Sequence, residues 1–100
     1  MHPLILQHIN TIRVLFKQYG VISAFLFGSA VGNTHTDKSD FDFLIKFNPD
    51  LDHETYANNY FNLMYALQDL LKSEVDLVAE ETVQNPYFAQ SINEKKISLL

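Results

Sequence analysis

Val21-Ile22-Ser23-Ala24-Phe25-Leu26-Phe27-Gly28-Ser29, then ten residues, then Asp40-Phe41-Asp42-Phe43-Leu44-Ile45-Lys46-Phe47: this stretch decides how the chain is read. An apolar run over residues 21–27 stops at Gly28-Ser29. A polar loop spans residues 30–39, and two aspartates one residue apart open a second apolar run over residues 43–47. Apolar runs of this length, rich in Phe, Ile, Leu and Val, read as buried strands. On a strand, residues i and i+2 face the same side, so Asp40 and Asp42 are expected side by side, about 6–7 Å apart. Carboxylates that close repel, and one tends to keep its proton unless a cation lies between them. Mg²⁺ removes the conflict, because carboxylates are its natural protein ligands. Gly28-Ser29 at a strand end lets the backbone approach a ligand closely, and free N–H groups there can hold a phosphate. A phosphate site facing paired carboxylates is equipment for phosphoryl or nucleotidyl transfer.

Gly28-Ser29, ten residues, then Asp40-Phe41-Asp42 resembles the signature of the DNA polymerase β-like nucleotidyltransferase superfamily. The whole chain is similar to the minimal nucleotidyltransferases, small partners of HEPN-domain proteins in toxin–antitoxin pairs. Glu74-Val75-Asp76-Leu77-Val78 resembles the strand that carries the family's third carboxylate. The resemblance implies an Mg²⁺-dependent enzyme, with two metal ions, that uses ATP. Gly28 and Ser29 would hold the phosphates, Asp40 and Asp42 would ligate both metals, and Asp76 would complete the site and activate the acceptor. The implied acceptor is a hydroxyl, tyrosine above all, on a HEPN-type toxin that adenylylation would silence. The loop departs from the family. Many relatives carry an arginine shortly after the Gly-Ser, whereas here the segment is Ala30-Val31-Gly32-Asn33-Thr34. Gly32 and Asn33 can still make the turn. Lys38 is the nearest cation in sequence and could compensate, though as a point charge rather than a fork. Asp37 and Ser39 read as residues that shape the turn into the second strand.

The bounds of the chain agree with one small enzyme domain over residues 1–100. One hundred residues suffice for a modest core. With 47% hydrophobic residues, three Gly and three Pro, order is expected throughout. No apolar run approaches the ~20 residues needed to span a bilayer, and Met1-His2-Pro3 lacks a basic leader region. The absence of cysteine excludes a disulfide framework and fits a cytoplasmic protein. A formal net charge of −5 argues against a nucleic-acid groove.

Around the central stretch the periodicities place three helices. Ile5, Ile9, Ile12, Phe16 and Tyr19 recur at helical spacing over residues 3–19, with Pro3 in the first turn and Gly20 past the end. His2 and His8 read as surface histidines. Asn48-Pro49-Asp50 breaks the second strand. Asp52 is an N-cap with Glu54 in the first turn of a helix running to about Lys72. Tyr56, Tyr60, Leu63, Met64, Leu67, Leu70 and Leu71 form its stripe. Phe61 and Tyr65 broaden the stripe into a surface for a partner or for self-association. Residues 74–78 form a third strand, in which Asp76 points away from Val75 and Leu77. In the tail, Asn85 caps a helix opened by Pro86; Tyr87, Phe88, Ile92 and Ile97 are expected to pack it on the sheet, with Lys95 and Lys96 near its end. Tyr87 also enters, by analogy with the family, as a residue near the nucleotide.

The fold expected is therefore α/β (α+β): a small mixed sheet of at least three strands with helices packed on it, the palm of the polymerase β-like family. Other meanings stay open for the motif residues: an ordinary turn for Gly28-Ser29, a strand-entry cap for Asp40, an edge-strand acid facing water for Asp76. Two other functions stay open as well. The domain could neutralise its partner by covering it, without catalysis, or it could transfer a nucleotide to a small molecule, as larger relatives do.

Overall fold

His2 starts the first helix. Its Nδ1 accepts from the Leu4 N–H at 3.1 Å, and Pro3 fills the first helical position, where no intrahelical donor is lost. In this computed structural model, which describes residues 1–32, 34–36 and 38–100, helix α1 spans Pro3–Gln18 and buries Ile5, Ile12 and Phe16. The expectations for Asn33 and Asp37 lie outside the described residues. Strand β1 is Val21–Phe27 and runs into a 3-10 turn, Gly28–Val31. Strand β2 is Phe41–Phe47 and helix α2 is His53–Leu71. Strand β3 is Val75–Ala79, helix α3 is Pro86–Lys95, and strand β4 is Ile97–Ser98.

The caps are where the sequence puts them. Asp52 accepts from the Thr55 N–H at 2.7 Å to open α2. Asn85 accepts from the Tyr87 and Phe88 N–H groups to open α3. Lys72, at φ 52°, closes α2 in the left-handed region.

The four strands form one mixed sheet in the order β3-β2-β1-β4. β1 pairs antiparallel with both β2 and β4, and β2 pairs parallel with β3. A parallel pair needs a crossover, which α2 supplies. Alternation then divides the sheet. Ala24 and Leu26, the phenylalanines 41, 43 and 47 with Ile45, and Val75 and Leu77 face α1 and α2 and make the main core with Leu63, Leu67 and Leu71. The opposite face carries Asp42, Leu44 and Lys46 of β2 and Asp76 and Val78 of β3. There α3 packs through Ile92 on Phe27 and Leu44. Two of the three α2 tyrosines hold the helix to its neighbours. Tyr60 donates to the Leu77 carbonyl and Tyr56 to Glu81 Oε1, both at 2.6 Å. Burial and the Glu81 carboxylate push Tyr56 up to about 12, so it remains a donor.

The tail differs from its expected packing at two points. Ile97 does not hold α3 down; with Ser98 it forms β4 against Phe25 and Leu26. The Leu99 N–H donates to the Ala24 carbonyl and Arg13 Nε donates to the Leu99 carbonyl, both at 2.8 Å, so edge hydrogen bonds of β1 decide the path. Tyr87 is 82% exposed and so does not help pack α3 on the sheet, whereas Phe88 reaches Phe27 edge-on at 6.1 Å. Phe61 and Tyr65 stand half-exposed on α2, as the broadened stripe predicts. Among the described residues no helix is long and apolar enough to cross a membrane.

Candidate active site

Strand directions bring the motif residues together. β1 ends where β2 begins, because the two are antiparallel; β3 begins beside β2, because those two are parallel. Phe27 is paired with Asp42, and Asp42 with Asp76, in one row across three strands. Gly28 follows directly, at φ +73°, a conformation that L side chains rarely adopt. A Cβ built on Gly28 would lie 3.2 Å from Asp42 Cγ and would overlap its Oδ2. Glycine is therefore needed twice, for the backbone angle and for the space.

Asp42 is the electrostatic centre. It is half-buried, and its pKa is pushed from 3.8 to about 6, first by burial, then by Asp76, then by Asp40. Among the described residues the one ion pair is Lys72–Asp69 on the surface, so no cation is paired with these acids. Asp40 and Asp76 are exposed. Asp40 is not on the strand, as the alternation reading has it, but one residue before. The ladder starts at Phe41, whose N–H donates to the Glu74 carbonyl at 3.0 Å. Asp40 nonetheless stays close enough to raise Asp42.

Ser29 lies in the 3-10 turn with its Oγ 3.1 Å from His35 Nδ1. The His35 ring stacks on Phe41, centroids 4.5 Å apart. His2, read as a surface residue, is half-buried instead. It caps α1, donates its N–H to the Ala30 carbonyl at 2.8 Å, and sets its ring edge-on to Phe41 at 5.0 Å. No short-range pattern announces His2 or His35, since both owe their place to the fold of the loop.

A cleft of about 420 Å³ opens beside the turn, lined by Gly28, Val31, Gly32, Thr34, Ser91 and Lys95. Its cation comes from α3 and not from the loop. Lys38 lines a different hollow, with Asp40, Gln68, Lys72 and Glu74. Lys96 is engaged elsewhere, its Nζ 4.3 Å above the Phe25 ring.

The donor set suits a hard divalent cation, being carboxylate oxygen alone. Among the described residues no three His, Cys, Asp or Glu side chains converge into a ready-made cage. Mg²⁺ does not require one; it is commonly held by one or two carboxylates together with substrate phosphates and water. Asp42 with a neighbouring acid, facing the glycine turn, fits that mode, and the uncompensated repulsion at Asp42 is what a cation would relieve.

Residues 10–100 match the family model for polymerase β nucleotidyltransferases. The chain belongs to the polymerase β nucleotidyltransferase family. A Methanocaldococcus jannaschii protein named as a protein adenylyltransferase is 39% identical over 85 residues, covering 85% of this chain and 83% of that one. Among solved structures, a minimal nucleotidyltransferase superposes with a TM-score of 0.77 at 23% identity, over 97% of this chain and 95% of that chain. A toxin–antitoxin complex with AMP-PNP gives 0.72 at 24% identity, over 92% and 72% of the two chains. The MNT antitoxin bound to a tri-AMPylated Shewanella oneidensis HEPN toxin gives 0.66 at 22% identity, over 95% and 71%. At these identities the structures establish the nucleotidyltransferase fold.

Proposed function

We propose that this nucleotidyltransferase moves AMP from ATP to a hydroxyl, tyrosine above all, of a partner HEPN-type toxin in the cytoplasm, acting as its antitoxin through one minimal domain. The observation that carries the reading is Asp42, paired with Asp76 across the strands and set against Gly28: a half-buried carboxylate with acidic neighbours, held against a glycine turn that no side chain can fill. The M. jannaschii relative named as a protein adenylyltransferase, and the AMPylated toxin held by a structural neighbour, support AMP and a protein acceptor.

In this reading Gly28 brings the backbone to the triphosphate, and Ser29 offers its hydroxyl and N–H to phosphate oxygens. Lys95, which lines the same cleft, supplies a cation. Asp40, Asp42 and Asp76 would hold Mg²⁺, which when bound offsets the charge of the acids and of the phosphates. The acceptor hydroxyl gives its proton to a carboxylate oxygen of Asp76. Its oxygen bonds to the α-phosphorus, the bond from that phosphorus to the bridging oxygen breaks, and pyrophosphate leaves.

The test is the intact mass of a co-purified HEPN partner incubated with this protein, ATP and Mg²⁺. Mass gains in AMP units, lost in Asp40→Ala and Asp42→Ala, are expected. A tight complex that silences the partner without any mass gain would leave a binding antitoxin in place of an enzyme.

A further inference from the structure

The Ser29 hydroxyl is useful to a phosphate only if its proton points outward. That proton has a competitor within the protein, because Ser29 Oγ lies 3.1 Å from His35 Nδ1. If Nδ1 is bare, the Ser29 hydroxyl donates to it and shows phosphate only lone pairs. If Nδ1 carries the hydrogen, the ring donates to Oγ, and the hydroxyl proton is free to turn toward an anion. Both the Nδ1-protonated neutral ring and the imidazolium provide that donor. The ring is held for this task. It stacks on Phe41 at 4.5 Å with planes 27° apart, and His2 stands edge-on to it at 4.6 Å. His2 in turn is anchored by its backbone N–H, which donates to the Ala30 carbonyl within the same 3-10 turn as Ser29.

We propose that His35 is a positioning residue of the phosphate turn: Nδ1–H donates to Ser29 Oγ and directs the Ser29 hydroxyl proton to the triphosphate of ATP. The inference rests on the nucleotide-binding reading of Gly28-Ser29 and adds the residue that orients it. The stacked ring contributes shape and the nitrogen contributes the hydrogen bond, so the two can be separated by substitution. Phenylalanine retains the stack and removes Nδ1, while asparagine places an amide nitrogen near the Nδ1 position.

The experiment is Mg·ATP binding by titration calorimetry for wild type, His35→Phe, His35→Asn, Ser29→Ala and the Ser29→Ala/His35→Phe double variant, each checked for an unchanged melting curve. His35→Phe is expected to weaken ATP binding about threefold to tenfold, the range of one neutral hydrogen bond. His35→Asn should recover most of that loss. In the Ser29→Ala background, His35→Phe should have no further effect, which a merely structural role for the ring would not produce. An equal loss in both backgrounds, or wild-type binding by His35→Phe, overturns the proposal while leaving nucleotide binding intact. Absence of ATP binding in the wild type overturns the nucleotide reading itself, and this inference with it.

Discussion

Gly28 and Asp42 stand so close that a single carbon on the glycine would overlap the carboxylate. They are neighbours because Phe27 and Asp42 are paired across β1 and β2, so the residue that follows Phe27 must pass over the aspartate. Backbone and acid thus share one small space, with the glycine turn on one side and the acids on the other.

Gly28→Ala should therefore damage both stability and chemistry. The positive φ and the clash together are expected to cost about 1–3 kcal/mol. For a domain of this size that lowers the melting temperature by about 4–8 °C per kcal/mol. AMP transfer should fall at least about a hundredfold, since sub-ångström placement at the reacting centre is lost. In Gly28→Ala/Asp42→Ala the clash is relieved, and the stability loss should shrink toward that of the φ effect alone. A glycine variant as active as wild type would break the link between this contact and catalysis.

Asp42 gives the protein a pH signature of definite sign. Its pKa of about 6 lies above the ordinary 3.8, so the folded state holds this proton more tightly than the unfolded one. Stability from this group is complete below about pH 4, is lost as pH rises through about 6, and does not fall further above that. Asp42→Asn should equal wild type near pH 3.5 and exceed it at pH 8. The gain should be about 1 kcal/mol, less than the full shift implies because the group is partly solvated. Melting curves at the two pH values decide it; a gap that is larger in acid contradicts the reading.

Mg²⁺ should relieve the same repulsion. At pH 8, Mg²⁺ with AMP-PNP is expected to raise the wild-type melting temperature by several degrees, as any ligand bound only by the folded state must. Chelation with EDTA should reverse the shift, and Asp42→Asn should show little of it. A shift that persists undiminished in Asp42→Asn would place the cation elsewhere.

Two adjacent lysines should behave differently. Lys95 lines the cleft at Gly28, whereas Lys96 lies over the Phe25 ring. Lys95→Met is expected to raise the KM for ATP about tenfold, the weight of one charge-assisted contact at an exposed site. Lys96→Met should leave KM near wild type and cost about 0.5–1 kcal/mol of stability. Steady-state kinetics with ATP varied will separate them, and identical KM values for the two variants would remove Lys95 from the site.

Local pattern alone determined much of this protein. The span of β1, the caps at Asp52 and Asn85, the stripes of α1 and α2, and the facing of Asp42 away from the phenylalanines all follow from periodicity and capping chemistry within a few residues. The pairing of Gly28-Ser29 with Asp40-Phe41-Asp42 was legible too, because the motif is compact. Tertiary structure decided the rest. β4 is two residues long and exists only because the edge of β1 supplies its hydrogen bonds. Asp40 stops short of the strand because Phe41 is the first residue that Glu74 can pair. Lys95 enters the cleft from α3 and the His2 ring meets Phe41 through contacts distant in sequence, while His35 meets Ser29, only six residues before it, in a pairing that no periodicity or capping rule announces. Side-chain type and spacing determine what a segment can form. Which distant cation or imidazole faces a given turn depends on how helices and strands pack, and that is settled only when the whole core closes.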